Sequence, residues 1–236
     1  MKPPAERRFP VAINAEALAL AWIRQEGAPP GAIVVPDHEV SPRGRLGRLW
    51  SHPQEHTAVL AMVWRPDLDA GGADLVWLAA GLGLLAGARA LTGNPALGLW
   101  WPDRLVDAGE DEIGQVRAEV QLGPGRVTSA VVTARLDLGV FGDVERDVAI
   151  DAMTEGLLEF MGLTAGDVSG LLDGYREACV LTGRKVVARL LPRGTARGTV
   201  AGFDPLGRLE LASTTGLIER VPLDNLDQLQ ASPNLS

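Results

Sequence analysis

Residues 41–50 read SPRGRLGRLW. Arg43, Arg45 and Arg48 fall within six positions, spaced by Gly44 and Gly47. The chain around them carries a net charge of −8, so this cation cluster is a local feature. Glycine lets a backbone approach a ligand closely. Arginine offers a planar fork matched to carboxylate and phosphate. The stretch reads as a loop able to fold over an anion; a solvated surface loop is the plainer alternative. Like charges repel, so Gly44 to Gly47 is expected to stay mobile until a ligand orders it.

The chain has 236 residues and is 46% apolar, enough for a sizeable core. Its acidic balance argues against nucleic acid or an anionic membrane as a partner over any broad face. A single cysteine, Cys179, excludes an internal disulfide and fits a reducing compartment, so a cytoplasmic location is expected. The start, MKPPAERRF, has no apolar stretch of the signal-peptide type. The longest uncharged run, residues 75–88, is too short to span a bilayer and reads as a buried helix. Lysine is confined to Lys2 and Lys185.

In order, FPVAI (9–13) is a short strand and Asn14 caps a helix bearing Leu18, Ala21, Trp22 and Gln25 on one face. AIVVP (32–36) and TAVLAMVWR (57–65) are strands of buried type. A long apolar helix covers 73–91, its GLGLLAG segment supplying small residues for close helix packing. LGLWWPDRLVD (97–107) is a strand, a turn at Pro102 and another strand. Residues 114–122 and 126–138 alternate as antiparallel strands about a Gly-Pro-Gly turn. Two helices follow, marked by Ile150, Met153, Leu157 and Phe160, then Val168, Leu171, Leu172, Tyr175 and Cys179. After Gly183 four short strands, separated by glycine or proline, indicate a small β-barrel. The fold class is α+β, with a boundary near Leu181: residues 1–181 as the main domain, 182–236 as the barrel. Residues 1–8 and 231–236 are expected to be loose.

With its motifs, this order resembles the biotin protein ligases of the biotin/lipoate protein ligase superfamily. PRGRLGR followed by Trp50 resembles their GRGRxGR loop and tryptophan, and WWPDR (100–104) resembles KWPND. LTGRKV (181–186) resembles the approach to the family's C-terminal barrel, and GTARGTVAGFDPLGRLELASTTG resembles the barrel itself. The resemblance covers roughly residues 9–229. It implies a mixed-sheet catalytic-type domain, an SH3-like barrel, and chemistry in which biotin and ATP give biotinyl-5′-AMP before acyl transfer to a carrier-protein lysine. It implies ligand-binding roles for Glu39, Arg43, Gly44, Arg45, Gly47, Arg48, Trp50, Trp101 and Asp103. It also implies biotin and ATP with Mg²⁺ as ligands of an active member and an acyl carrier protein as partner, and leaves a homodimer open. The family's optional N-terminal DNA-binding domain is expected to be absent.

The departures fall on the chemistry. Glu39 stands at the family's biotin-binding glutamine, and Pro42 at the first loop glycine. Asn14, Ala15 and Glu16 replace Ser-Thr-Asn. Glu112 stands at the lysine that supports adenylation, and Gln115 at a glycine. Thr133 and Arg135 put side chains into the glycine-bearing GIGIN strand. One charge a few ångströms from a reacting phosphate is worth about 4 kcal/mol at an effective dielectric near 20, and inversion roughly doubles the change. Arg104 and Arg117 are weak substitutes for the lysine, and no confident catalytic residue remains.

Other chemistry is sparse. His38, His52 and His56 surround the loop, but Pro53 speaks against a helical metal pair, and no metal site is assigned. Asp103, Asp107, Glu110, Asp111 and Glu112 read as a solvated acidic loop, with Mg²⁺ or a basic partner as the sharper alternative. Trp22, Trp64 and Trp77 read as core; Trp50, Trp100 and Trp101 either stack on a planar ligand or fill its pocket. Two functions follow. The favoured one is a non-catalytic relative binding a small acyl ligand, a nucleotide or a protein partner. The other is an acyl protein ligase with rewired residues.

Overall fold

The computed structural model describes residues 4–232. Seven strands form a mixed sheet in the order β1-β2-β3-β7-β6-β5-β4. Strands β1 (Glu6–Phe9) and β2 (Ile33–Pro36) run parallel. The remaining pairs, through β3 (Thr57–Trp64), β7 (Arg126–Asp137), β6 (Glu112–Gly123), β5 (Arg104–Val106) and β4 (Gly98–Trp100), are antiparallel. β3 is buried along its whole length because both faces of the sheet are covered. Leu60, Met62 and Trp64 enter the main core. Val59, Ala61 and Val63 enter a smaller core under helix α1 (Ala15–Glu26).

The main core is roofed by α2 (Asp74–Thr92) and α3 (Arg146–Gly166). Their axes approach closely because Gly83 and Gly87 face Gly156: a Cβ at Gly87 would lie 2.8 Å from the Ala152 carbonyl. By length and composition the helical stretch 70–92 could cross a membrane, a longer span than its uncharged run suggested. Here it belongs to the core, with thirteen residues of α2 buried. Helix α4 (Val168–Ala178) buries Leu171 and Tyr175, and Cys179 follows in contact with the same core.

A second, wholly antiparallel sheet takes the order β11-β10-β9-β8-β12. Its strands are β8 (Lys185–Leu190), β9 (Thr195–Phe203), β10 (Leu209–Ala212), β11 (Ile218–Val221) and β12 (Leu226–Ala231). Five strands stand where four were expected. The extra one, LDQLQA, buries only Leu226 and Leu229, too sparse a pattern to announce itself.

Three other readings are corrected. The first strand is ERRF, residues 6–9, not FPVAI; residues 6–8 are therefore ordered against Ile33, Val34 and Val35. Pro10 has no N–H for a ladder, and the arginines of this edge strand pair outward, Arg7 with Glu26 and Arg8 with Asp147. Ala231, likewise expected to be loose, ends β12. Helix α1, capped as expected by Asn14 (Oδ1 accepting from Ala17 N at 2.8 Å), turns Ala15, Ala19 and Trp22 inward; Gln25 is exposed. Lys2 and the expected loose residues 1–3 and 233–236 lie outside the described residues.

Candidate functional site

The β3–β7 register sets Val59 opposite Arg135, and the β6–β7 register sets Gln115 opposite it. Arg135 shares the α1 face of β7 with Val131 and Thr133. There its guanidinium meets Glu39: Nε donates to Oε2 at 2.8 Å and one terminal nitrogen donates to Oε1 at 3.1 Å. Both side chains are withdrawn from solvent, 1% and 0% exposed. Glu39 Oε1 also accepts the Ala15 N–H at 2.7 Å, where the N-terminus of α1 favours negative charge. The other guanidinium nitrogen donates to the Arg43 carbonyl at 3.3 Å. Two departures singled out in the sequence, Glu39 for glutamine and Arg135 for glycine, thus answer each other.

A second pair lies beside the first. Arg117 Nε is 2.9 Å from Glu16 Oε2, and a terminal nitrogen is 3.6 Å from Glu119. Burial pushes the Glu16 carboxyl up, against the pull of Arg117. Arg117, weighed as a stand-in for the missing lysine, is therefore held by two carboxylates.

The arginine loop is folded, not splayed. Arg45 is buried and donates to the Leu226 and Asp227 carbonyls at 2.6 and 2.9 Å; Arg48 donates to the Asp227 carbonyl at 2.7 Å. Arg43 turns back to Ser41 Oγ and the Gly47 carbonyl. The expected repulsion is offset because backbone oxygens of β12 gather two of the three cations. Gly44 lies flat on the Gln115 side chain, closer than a Cβ would permit, and Gly47 supplies a positive φ of 73°. The Gln115 side chain thus fills the space against Gly44. Trp50 is buried, donating from Nε1 to Thr57 Oγ1 at 3.0 Å.

Trp101 is fully buried, 6.4 Å from the Phe203 ring, so it fills the core and offers no face to a ligand. Asp103 is buried as well, with Arg45 Nε 4.0 Å away, which corrects the reading of a solvated acidic loop. Burial pushes its carboxyl up, opposed by Arg45 and then Arg104. Burial also raises Glu112, opposed chiefly by Arg104, whose Nε lies 4.0 Å from it. Arg104 packs on Trp100 with 4.8 Å to the ring centroid. The rest of the acidic segment is a local turn, Asp107 Oδ1 accepting from the Gly109 and Asp111 amides, while Glu110 pairs with Arg184.

Three features escaped the sequence. Arg146 clamps the loop's base by donating to the Thr57, Asp37 and Gln54 carbonyls. His52 Nδ1 sits 2.8 Å from Asp137 Oδ2, with its ring 4.3 Å from that of Trp50. The Glu16–Arg117 pair is the third. A side chain that binds backbone carbonyls leaves no residue-type signal at its partner, so Arg146 was not detectable. Among the described residues no group of three or more His, Cys, Asp or Glu side chains could hold a metal ion. Cys179 is packed, and burial raises its thiol.

No family model matches the chain. The fold is that of the biotin protein ligases. The chain superposes on biotin protein ligase from Aquifex aeolicus in complex with biotin and ATP with a TM-score of 0.76, at 16% identity, over 97% of this chain and 99% of that one. A biotin protein ligase-like protein of unknown function from Silicibacter sp. tm1040 gives 0.73 at 17% identity, over 95% and 96%. In sequence the chain is 26% identical to the bifunctional ligase/repressor BirA of Bacillus subtilis (strain 168) over 132 residues, 54% of this chain and 40% of that protein. BirA of Bacillus spizizenii matches to the same extent. The sequence match spans about two fifths of the length of these curated relatives.

Proposed function

We propose that the chain is a non-catalytic relative of the biotin protein ligases, one that keeps the scaffold for binding and has given up acyl-adenylate formation. The observation that carries this reading is the buried, two-bond Glu39–Arg135 pair. By the family resemblance it stands where the biotin head would be received. An arginine there occupies volume, and its partner carboxylate spends its oxygens on Arg135 and the Ala15 amide. Gln115 against Gly44 fills a second opening.

The charge pattern supports the same reading. A phosphate leaving beside Glu112 meets a carboxylate where the family offers an ammonium, and preorganised charge stabilisation is usually the largest catalytic contribution. Arg104 is already directed at Glu112 and Trp100, and Arg117 at Glu16 and Glu119. Biotin and ATP therefore do not fit the residues present. What remains for the scaffold is a protein partner, a nucleotide or a small acyl ligand bound elsewhere, in a cytoplasmic setting.

The test is to incubate the purified protein with ATP, Mg²⁺ and biotin, lipoate or octanoate, and to look for acyl-AMP by mass spectrometry. The expected result is no acyl-AMP from any of the three. Rapid multiple turnover with one of them would replace this reading with the alternative, an acyl protein ligase using Arg104 in place of the lysine.

A further inference from the structure

The outward face of the second sheet carries a trough that the ligase-like site does not use. Two adjoining clefts, of about 390 and 140 Å³, share Val187 and Arg197 as common walls. Lys185, Val187 and Arg189 alternate outward along β8, while Val186 and Ala188 point into the core. On β9, Thr199, Arg197 and Thr195 stand opposite them in register. On β12, Gln230 and Gln228 flank Val187 and Arg189 on the other side.

This register makes a ruler. Same-face residues on a strand are spaced by about 6.6 Å. Lys185 and Arg189 therefore stand two such steps apart on β8, and Arg197, paired with Val187 on the adjoining strand, stands midway between them and about 4.8 Å to one side. Each step is the spacing of alternate side chains in an extended peptide. Val187 lies between the cations, and beside it the Thr195 and Thr199 hydroxyls and the Gln228 and Gln230 amides can hydrogen-bond to a peptide backbone. Among the described residues Lys185 and Arg197 have no carboxylate within 4.0 Å, and Arg189 has only Asp227 at 3.8 Å. In a chain of net charge −8 such a group of cations stands out.

We propose that this trough binds an extended acidic peptide segment of a partner protein, with carboxylates at alternate positions over Lys185, Arg197 and Arg189. The inference stands apart from the adenylation question. Opposite charge speeds the encounter, and the alternating register supplies selectivity.

The test is fluorescence anisotropy with three labelled hexapeptides: one alternating threonine and glutamate, one with three threonines followed by three glutamates, and one alternating threonine and glutamine. A single-stranded oligonucleotide and inorganic phosphate serve as competitors. The alternating acidic peptide is expected to bind at least tenfold tighter than either other peptide. The double variants Lys185→Gln/Arg197→Gln and Lys185→Glu/Arg197→Glu, checked for folding by circular dichroism, should weaken it at least tenfold. Equal binding of the two acidic peptides would overturn the proposal, because the face would then be a mere positive patch. So would no binding of the alternating peptide at low salt, undiminished binding by the folded glutamine variant, or displacement at equal concentration by the oligonucleotide or phosphate.

Discussion

Arg135 and Glu39, 96 residues apart, share two hydrogen bonds in a space closed to solvent. Breaking such a pair from one side leaves a buried, uncompensated charge, at a cost of about 3–5 kcal/mol. We expect Glu39→Gln and Arg135→Gly each to lose that much in urea unfolding. The double change should cost clearly less than the sum, since no charge is left behind. Additive losses would mean that the two residues are not coupled.

The loop is tied to the second sheet by Arg45. Arg45→Ala removes the bonds to the Leu226 and Asp227 carbonyls, of which the second keeps Arg48 as a donor. We expect a loss of about 1–3 kcal/mol. Cleavage after Arg43 or Arg48 in limited trypsin digestion should rise at the same time, because the loop loses its anchor. Unchanged digestion would show that Arg48 and Arg43 hold the loop alone.

Buried Asp103 gives the protein a pH signature. Burial raises its native carboxyl above the unfolded value, so between those two values the native state binds more protons than the unfolded one. This contribution to stability is full at and below the unfolded, ordinary carboxylate range and is lost as pH rises through the raised native value. Asp103→Asn should flatten that fall in a series of melting curves. A wild-type melting temperature that rises steadily across the same window, unaltered by the substitution, would contradict the account.

The meeting of α2 and α3 has no room for a methyl group. Gly87→Ala sets a Cβ 2.8 Å from the Ala152 carbonyl and 2.9 Å from Met153 Cα. Overpacking of this kind costs about 1–3 kcal/mol, and alanine's better helix propensity offsets less than 1 kcal/mol of it. A melting temperature at or above that of the wild type would refute the tight packing.

Most of the scaffold was legible because its signals are local. The apolar run 57–64, the strands on either side of the Gly123-Pro124-Gly125 turn and the Asn14 cap each declare an element within a dozen residues, although 126–138, expected to alternate, is buried continuously from Ser129 to Asp137. β12 was not, since a strand with two buried leucines resembles a polar tail. At the site, sequence reasoning identified Glu39, Glu16, Gln115 and Arg135 as departures, but one at a time. Their pairing depends on the β3–β7 register and the approach of the 37–41 segment to α1, which no local pattern encodes. The loop arginines pointed outward to a ligand when read alone; in the fold, backbone carbonyls 179–182 residues away take up Arg45 and Arg48.

Isothermal titration calorimetry with biotin, alone and with a non-hydrolysable ATP analogue, bears most directly on the filled recess. No binding heat is expected for biotin up to millimolar concentration, with or without the analogue. Saturable binding of biotin at micromolar concentration would contradict it, since Arg135 would then have to leave Glu39 to admit the ligand.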